Sequence, residues 1–130
     1  MMYTAPHILV VDDEPLVALL IADWLAELGY QVVGPISKVP EAMRLVEDAR
    51  LDGALLDVNL GAGDSFTLAD AVRAKDIPLA FITGNGADGL PQRFSGLPVL
   101  AKPFEFEAIE ALSARLFPIA PGMPASPPTT

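Results

Sequence analysis

Three carboxylates, a hydroxyl and an ammonium stand at matched places in this 130-residue chain, each ending or following a short apolar run. Asp12 and Asp13 follow Ile8–Val11, Asp57 lies near the end of Gly53–Val58, Thr83 ends Pro78–Thr83, and Lys102 follows Pro98–Ala101. Brought together, three carboxylates repel one another, and a hard divalent cation is what keeps all of them ionised near neutral pH. Magnesium suits oxygen-only ligands and readily keeps several waters. With the charge neutralised, one carboxylate can attack a phosphorus atom and form an acyl phosphate. Phosphoryl transfer then needs stabilisation of charge on the equatorial oxygens, a task for a short hydroxyl, a lysine and the cation.

Positioning these groups requires a particular set of elements. Ile8–Val11 is an apolar run of the kind buried on both faces of a parallel sheet. Asp12-Asp13-Glu14-Pro15 follows it as a helix start, with Pro just inside and acids around the first turn. Val17, Ile21, Trp24, Leu25 and Leu28 recur at helical spacing, and Gly29 supplies the stop. Gln31–Gly34 reads as a second strand, Glu41–Ala49 as a helix, and Gly53–Val58 as a third strand leading into a loop, Asn59–Asp64. Asp64 or Ser65 is placed to cap the next helix, with Leu68, Ala69 and Val72 inward. Pro78–Thr83 and Pro98–Ala101 read as the fourth and fifth strands, and Phe104–Leu116 as the last helix. The β-α alternation predicts an α/β fold: a five-stranded parallel sheet, doubly wound, flanked by five helices. The fourth helix is expected to be short or irregular, because Gly84–Pro91 holds three glycines, each costing about 1 kcal/mol in a helix interior. In such sheets ligands bind outside the carboxyl ends of the strands, which is where all five groups fall.

Composition narrows the classes. A formal charge of −9 argues against nonspecific nucleic-acid binding, which needs clustered Lys and Arg. With no Cys, disulfides, thiolate nucleophiles and Cys-ligated metals are excluded. No apolar run approaches the ~20 residues of a spanning helix, and Met1–His7 lacks the basic start of a signal peptide, so a cytoplasmic protein is expected. A chain this long buries roughly two-thirds of its surface in one domain. Residues 1–117 are assigned to it. Residues 118–130, rich in proline and uncharged, are expected to be a disordered tail.

Val10–Pro15, Leu55–Leu60, Phe81–Gly84 and Ala101–Phe104, in this order and on these strand ends, resemble the receiver domain of two-component response regulators, over about Ile8–Phe117. The resemblance implies a flavodoxin-like sheet with Asp57 as phosphoacceptor. It implies Asp12 and Asp13 as the acidic pair at Mg2+, with Asp57 and the Asn59 backbone carbonyl as further ligands. Thr83 would be the switch hydroxyl and Lys102 would contact the phosphoryl group, with the Lys102–Pro103 bond a cis candidate. The phosphoryl group would come from a sensor histidine kinase or a histidine phosphotransfer protein. With no length left for an output domain, a separate protein partner would read the result, or the group would be passed on in a phosphorelay. Neither DNA nor a membrane is an expected partner. Pro78-Leu79-Ala80-Phe81-Ile82-Thr83-Gly84-Asn85 is similar to the Pro-Phe-x-Phe-Ala-Thr-Gly-Tyr motif of alphaproteobacterial single-domain receivers, the FAT GUY group, and departs from it at Leu79, Ile82 and Asn85. Most receivers carry an aromatic residue three positions before the lysine. Here Val99 stands there, and the switch is therefore expected in the segment 84–91, with the small Gly84 leaving room beside Thr83.

Each residue also has a plainer reading. An Asp ending a strand is often a cap, Asn59 suits a turn, and Thr83 suits a strand. It is their common register that favours a site. His7, the only histidine, is read as structural. Two other classes compete. A haloacid-dehalogenase-like phosphatase or phosphotransferase also uses an Asp nucleophile, magnesium, Thr and Lys, but seeks a second Asp two residues on, where Asn59 cannot shuttle a proton. A binding module that is never phosphorylated is the other.

Overall fold

Every side chain of Leu9–Val11, Ala54–Leu56 and Leu79–Ile82 is buried, the pattern expected of strands covered on both faces. In the computed structural model, which describes residues 5–60, 63–84 and 90–119, these runs are the centre of a five-stranded sheet. The elements in chain order are β1 (His7–Val11), α1 (Pro15–Glu27), β2 (Gln31–Ile36), α2 (Val39–Asp48), β3 (Gly53–Asp57), β4 (Asn59–Leu60), β5 (Gly63–Asp64), α3 (Ser65–Ala74), β6 (Leu79–Thr83), β7 (Val99–Ala101) and α4 (Phe106–Leu116). The main sheet has the order β2-β1-β3-β6-β7 and is parallel throughout.

Alternation along each strand divides the core in two. Leu9, Val11, Ala54, Leu56, Leu79 and Phe81 face one layer, filled by Ala42 and Val46 of α2 and Leu68, Ala69 and Val72 of α3. Ile8, Val10, Leu55, Ala80 and Ile82 face the other, filled by Ile21 and Leu25 of α1 and Ile109 and Leu112 of α4. The expected fold is thus the observed one, with differences at its joints. β2 runs two residues past its expected end, to Ile36, through Gly34 at φ 108°, where a Cβ would lie 2.8 Å from the Ile36 nitrogen. α2 opens at Val39 rather than Glu41, because Pro40 fits a first turn. The loop after β3 contains a two-residue antiparallel ribbon, β4 with β5, pairing Asn59 with Asp64 and Leu60 with Gly63.

The described residues hold four α-helices rather than five. In place of the fourth is a 3-10 turn, Gln92–Phe94. Phe94 anchors it, fully buried against the Phe81 ring at 5.2 Å and the Phe66 ring at 5.8 Å. Arg93 forks onto Asp70 of α3 at 3.0 and 2.9 Å, and this holds the Asp70 carboxyl below the usual carboxylate range. Most of the glycine-rich segment expected to act as the switch, residues 85–89, lies outside the described residues, as does the expected tail from residue 120 on. α4 starts at Phe106, two residues later than expected. Phe104 and Phe106 both pack edge-on against Trp24, at 6.2 and 5.8 Å, with Glu105 held extended between them. No helix among the described residues is long and apolar enough to cross a membrane.

Candidate phosphoacceptor site

Register brings the polar strand ends together. Val11 pairs with Leu56, so Asp12 and Asp57 leave adjacent strands side by side. Asp57 pairs with Ile82, which puts Thr83 one step beyond it, and Thr83 pairs with Ala101, the residue before Lys102. Asp12, Asp57 and Thr83 are 2%, 3% and 5% exposed, an unusual depth for two acids, whereas Asp13 is exposed at the mouth. Carboxylate oxygens of Asp12, Asp13 and Asp57 lie within 4.8 Å of one another.

Local hydrogen bonds fix the acids. The Glu14 N–H donates to Asp12 Oδ1 at 2.9 Å, and the Asn59 N–H donates to Asp57 Oδ1 at 3.2 Å. Ser65 Oγ donates to the Val58 carbonyl at 2.9 Å, closing the loop after Asp57. Of the two expected cap residues, Asp64 and Ser65, Ser65 is the first residue of α3 and fully buried, and Asp64 immediately precedes the helix. The Lys102 N–H donates to the Thr83 carbonyl at 2.8 Å, which fixes the lysine beside the site. Its Nζ hydrogen-bonds Glu14 Oε1 and lies 3.3 Å from Asp12 Oδ2 and 3.6 Å from Asp57 Oδ2. The Lys102–Pro103 peptide is cis. Gly84 is exposed, and a Cβ built there would meet nothing within 4 Å, so the space beyond Thr83 is open.

Electrostatically the cluster is short of positive charge. Burial, and then the neighbouring Asp12 charge, push the Asp57 carboxyl up to about 7, against the opposing Asn59 N–H and Lys102. Burial alone would lower Lys102. The Glu14 hydrogen bond and the charges of Asp12 and Asp57 outweigh it and hold the ammonium above its ordinary value. Buried Asp12 Oδ2 accepts no hydrogen bond among the described residues. A buried carboxylate oxygen without a hydrogen bond and a reluctantly ionised neighbour fit a hard divalent cation, for which three carboxylate oxygens are a suitable donor set.

Two features of the site were not read from the sequence. Glu14, taken there only as a helix-start acid, reaches Lys102 across 88 positions, a contact that no local spacing signals. On the α1 side, Asp12, Asp13, Pro15, Leu19, Pro35 and Ile36 line a groove of about 380 Å3. Beside it Leu16, Leu19 and Leu20 are 83%, 55% and 42% exposed, an apolar stripe at i, i+3, i+4 bordering the acids.

Comparison with known proteins identifies the family and agrees with the fold. The family model for the response regulator receiver domain matches residues 8–113. The solution structure of SdrG from Sphingomonas melonis is 43% identical, with a TM-score of 0.75 over 87% of this chain and 98% of that one. Its BeF3-activated conformation superposes with a TM-score of 0.73. The receiver domain of the sensor histidine kinase PA1611 from Pseudomonas aeruginosa, with magnesium in its active-site cleft, is 27% identical with a TM-score of 0.75, over 87% of this chain and 98% of that one. The phyllosphere-induced regulator PhyR of Methylorubrum extorquens is 30% identical over 123 residues, covering 87% of this chain but 44% of PhyR. The likeness to SdrG and PhyR accords with the resemblance to the FAT GUY type.

Proposed function

Because the chain belongs to the response regulator receiver family, we propose that Asp57 accepts a phosphoryl group from the phosphohistidine of a sensor histidine kinase or a histidine phosphotransfer protein. The observation that carries this is the buried Asp57 at a strand end, with Asp12 and Asp13 oxygens within 4.8 Å and Lys102 Nζ at 3.6 Å. An Asp57 carboxylate oxygen attacks phosphorus, the O–P bond forms and the P–N bond to imidazole breaks. The imidazole leaves with the bonding electrons and is protonated. Lys102 and the Thr83 hydroxyl hold the phosphoryl oxygens as their charge shifts. Asp12, Asp13, Asp57 and the Asn59 carbonyl would hold Mg2+, which when bound offsets the charge of the acids and of the transferring group.

The exposed Leu16, Leu19 and Leu20 stripe gives a protein-borne phosphohistidine an apolar rim to dock on at the Asp12 and Asp13 side of the site. The outcome is a switch: about two negative charges at Asp57 alter the surface that a partner protein reads, or the group moves on in a phosphorelay. Incubation with acetyl phosphate and Mg2+ is expected to add ~80 Da by intact mass, the adduct being lost in Asp57→Asn. Steady release of phosphate from a phosphomonoester would instead favour the haloacid-dehalogenase-like reading.

A further inference from the structure

Glu14 stands between the acidic pair and Pro15, the first residue of α1, in extended backbone at φ −92° and ψ 106°. Its N–H is tied to Asp12 Oδ1 at 2.9 Å, so the site itself fixes where the Glu14 side chain begins. Lys102 is tied on the opposite side through its N–H to the Thr83 carbonyl at 2.8 Å. Between these two anchored backbones the Lys102 ammonium makes its one hydrogen bond among the described residues to Glu14 Oε1. Asp12 Oδ2 at 3.3 Å and Asp57 Oδ2 at 3.6 Å are its ion-pair neighbours. The ammonium is therefore held between the buried acids and the mouth of the site, where the Glu14 side chain is 58% exposed.

We infer that Glu14 is a positioning residue that holds the Lys102 ammonium at the mouth of the site while Asp57 is unmodified, and so competes with phosphoryl oxygens for it. The inference rests on the phosphoacceptor reading and adds to it the resting partner of the lysine. A cation on Asp12, Asp13 and Asp57 repels the ammonium further toward Glu14. A phosphoryl group then has to draw it back, and its binding includes the loss of the Glu14 contact. Shortening or neutralising residue 14 removes that loss.

The test is the affinity of the full chain for beryllofluoride, a phosphoryl mimic, in saturating Mg2+, read by 19F NMR for the parent, Glu14→Gln and Glu14→Asp. Both variants are expected to bind about threefold more tightly, the size of effect that a partly exposed ion pair supports. Glu14→Asp is the decisive arm, because it keeps the charge and removes the reach. Its Mg2+ affinity should stay at the parent value while its beryllofluoride affinity rises. A gain in Glu14→Gln alone would mean that charge and not contact matters, and overturns the inference. Unchanged affinities in both variants, with Asp57-dependent binding in the parent, overturn it and leave the phosphoacceptor reading standing. A parent that binds no beryllofluoride at Asp57 overturns both.

Discussion

Replacing Asp57 with Asn is expected to stabilise the protein in the absence of divalent cations, by an amount that depends on pH. Asp57 is 3% exposed, and burial with the Asp12 charge moves its carboxyl from the ordinary 3.8 to about 7. An acid whose folded value lies above its unfolded value favours folding in its protonated form. Its contribution is full below 3.8 and is lost as pH rises through about 7. A shift of this size corresponds to about 4 kcal/mol of penalty for the ionised folded state, and relaxation of a site open to water at its mouth halves that to about 2 kcal/mol. Asn fills nearly the same volume without the charge. At pH 8.5 in EDTA, Asp57→Asn should therefore gain about 2 kcal/mol, a urea midpoint higher by about 1.5 M for a domain of this size. At pH 5, where the folded Asp57 holds its proton but the unfolded carboxyl has largely lost its own, the gain should fall to about 1 kcal/mol. Groups elsewhere titrate alike in both proteins and cancel in the difference. Equal midpoint shifts at the two pH values, or a variant less stable than the parent at pH 8.5, would refute the argument that uncompensated charge is stored at Asp57.

Further outcomes follow from the same geometry. Mg2+ should raise the melting temperature of the parent, and Asp13→Ala should abolish most of that rise; an Asp13→Ala variant that responds as the parent does would misplace the cation site. Gly53→Ala should be destabilising, because its Cβ would lie 2.4 Å from two Phe117 ring atoms and 3.0 Å from Ile8. About 1–3 kcal/mol is expected by urea unfolding, and no loss would mean that the Phe117 ring moves aside freely.

The strands and their polar ends were legible because they are one physical signal. Ile8–Val11, Gly53–Asp57 and Leu79–Thr83 are continuous apolar runs that a two-sided core demands, and Asp12, Asp57 and Thr83 stand where each run stops. The joints were less legible. β2 continues through Gly34-Pro35, residues that ordinarily read as a turn, because Gly34 takes a φ closed to other side chains. The glycines of 84–91 pointed to a short or irregular fourth helix. They did not announce the 3-10 turn, which depends on Phe94 meeting Phe66 and Phe81 and on Arg93 meeting Asp70, all distant in sequence. Tyr30 shows the same limit: its hydroxyl hydrogen-bonds the Ser113 and Phe117 carbonyls at 3.1 and 2.8 Å, pinning the end of α4 from across the core. Glu14 is the functional case. Its type and place fit a helix start, and only the fold puts Lys102 within its reach.

The central claim is that Asp57, and no other acid of the cluster, bears the phosphoryl group. Borohydride reduces an acyl phosphate to a primary alcohol, so after treatment with acetyl phosphate and Mg2+ the modified residue is recovered as homoserine and can be located by peptide mass spectrometry. Homoserine at position 57, absent without Mg2+, is the predicted result. Homoserine at position 12 or 13, or a chain left unreduced after exposure to both acetyl phosphate and a competent phosphohistidine donor, would contradict it.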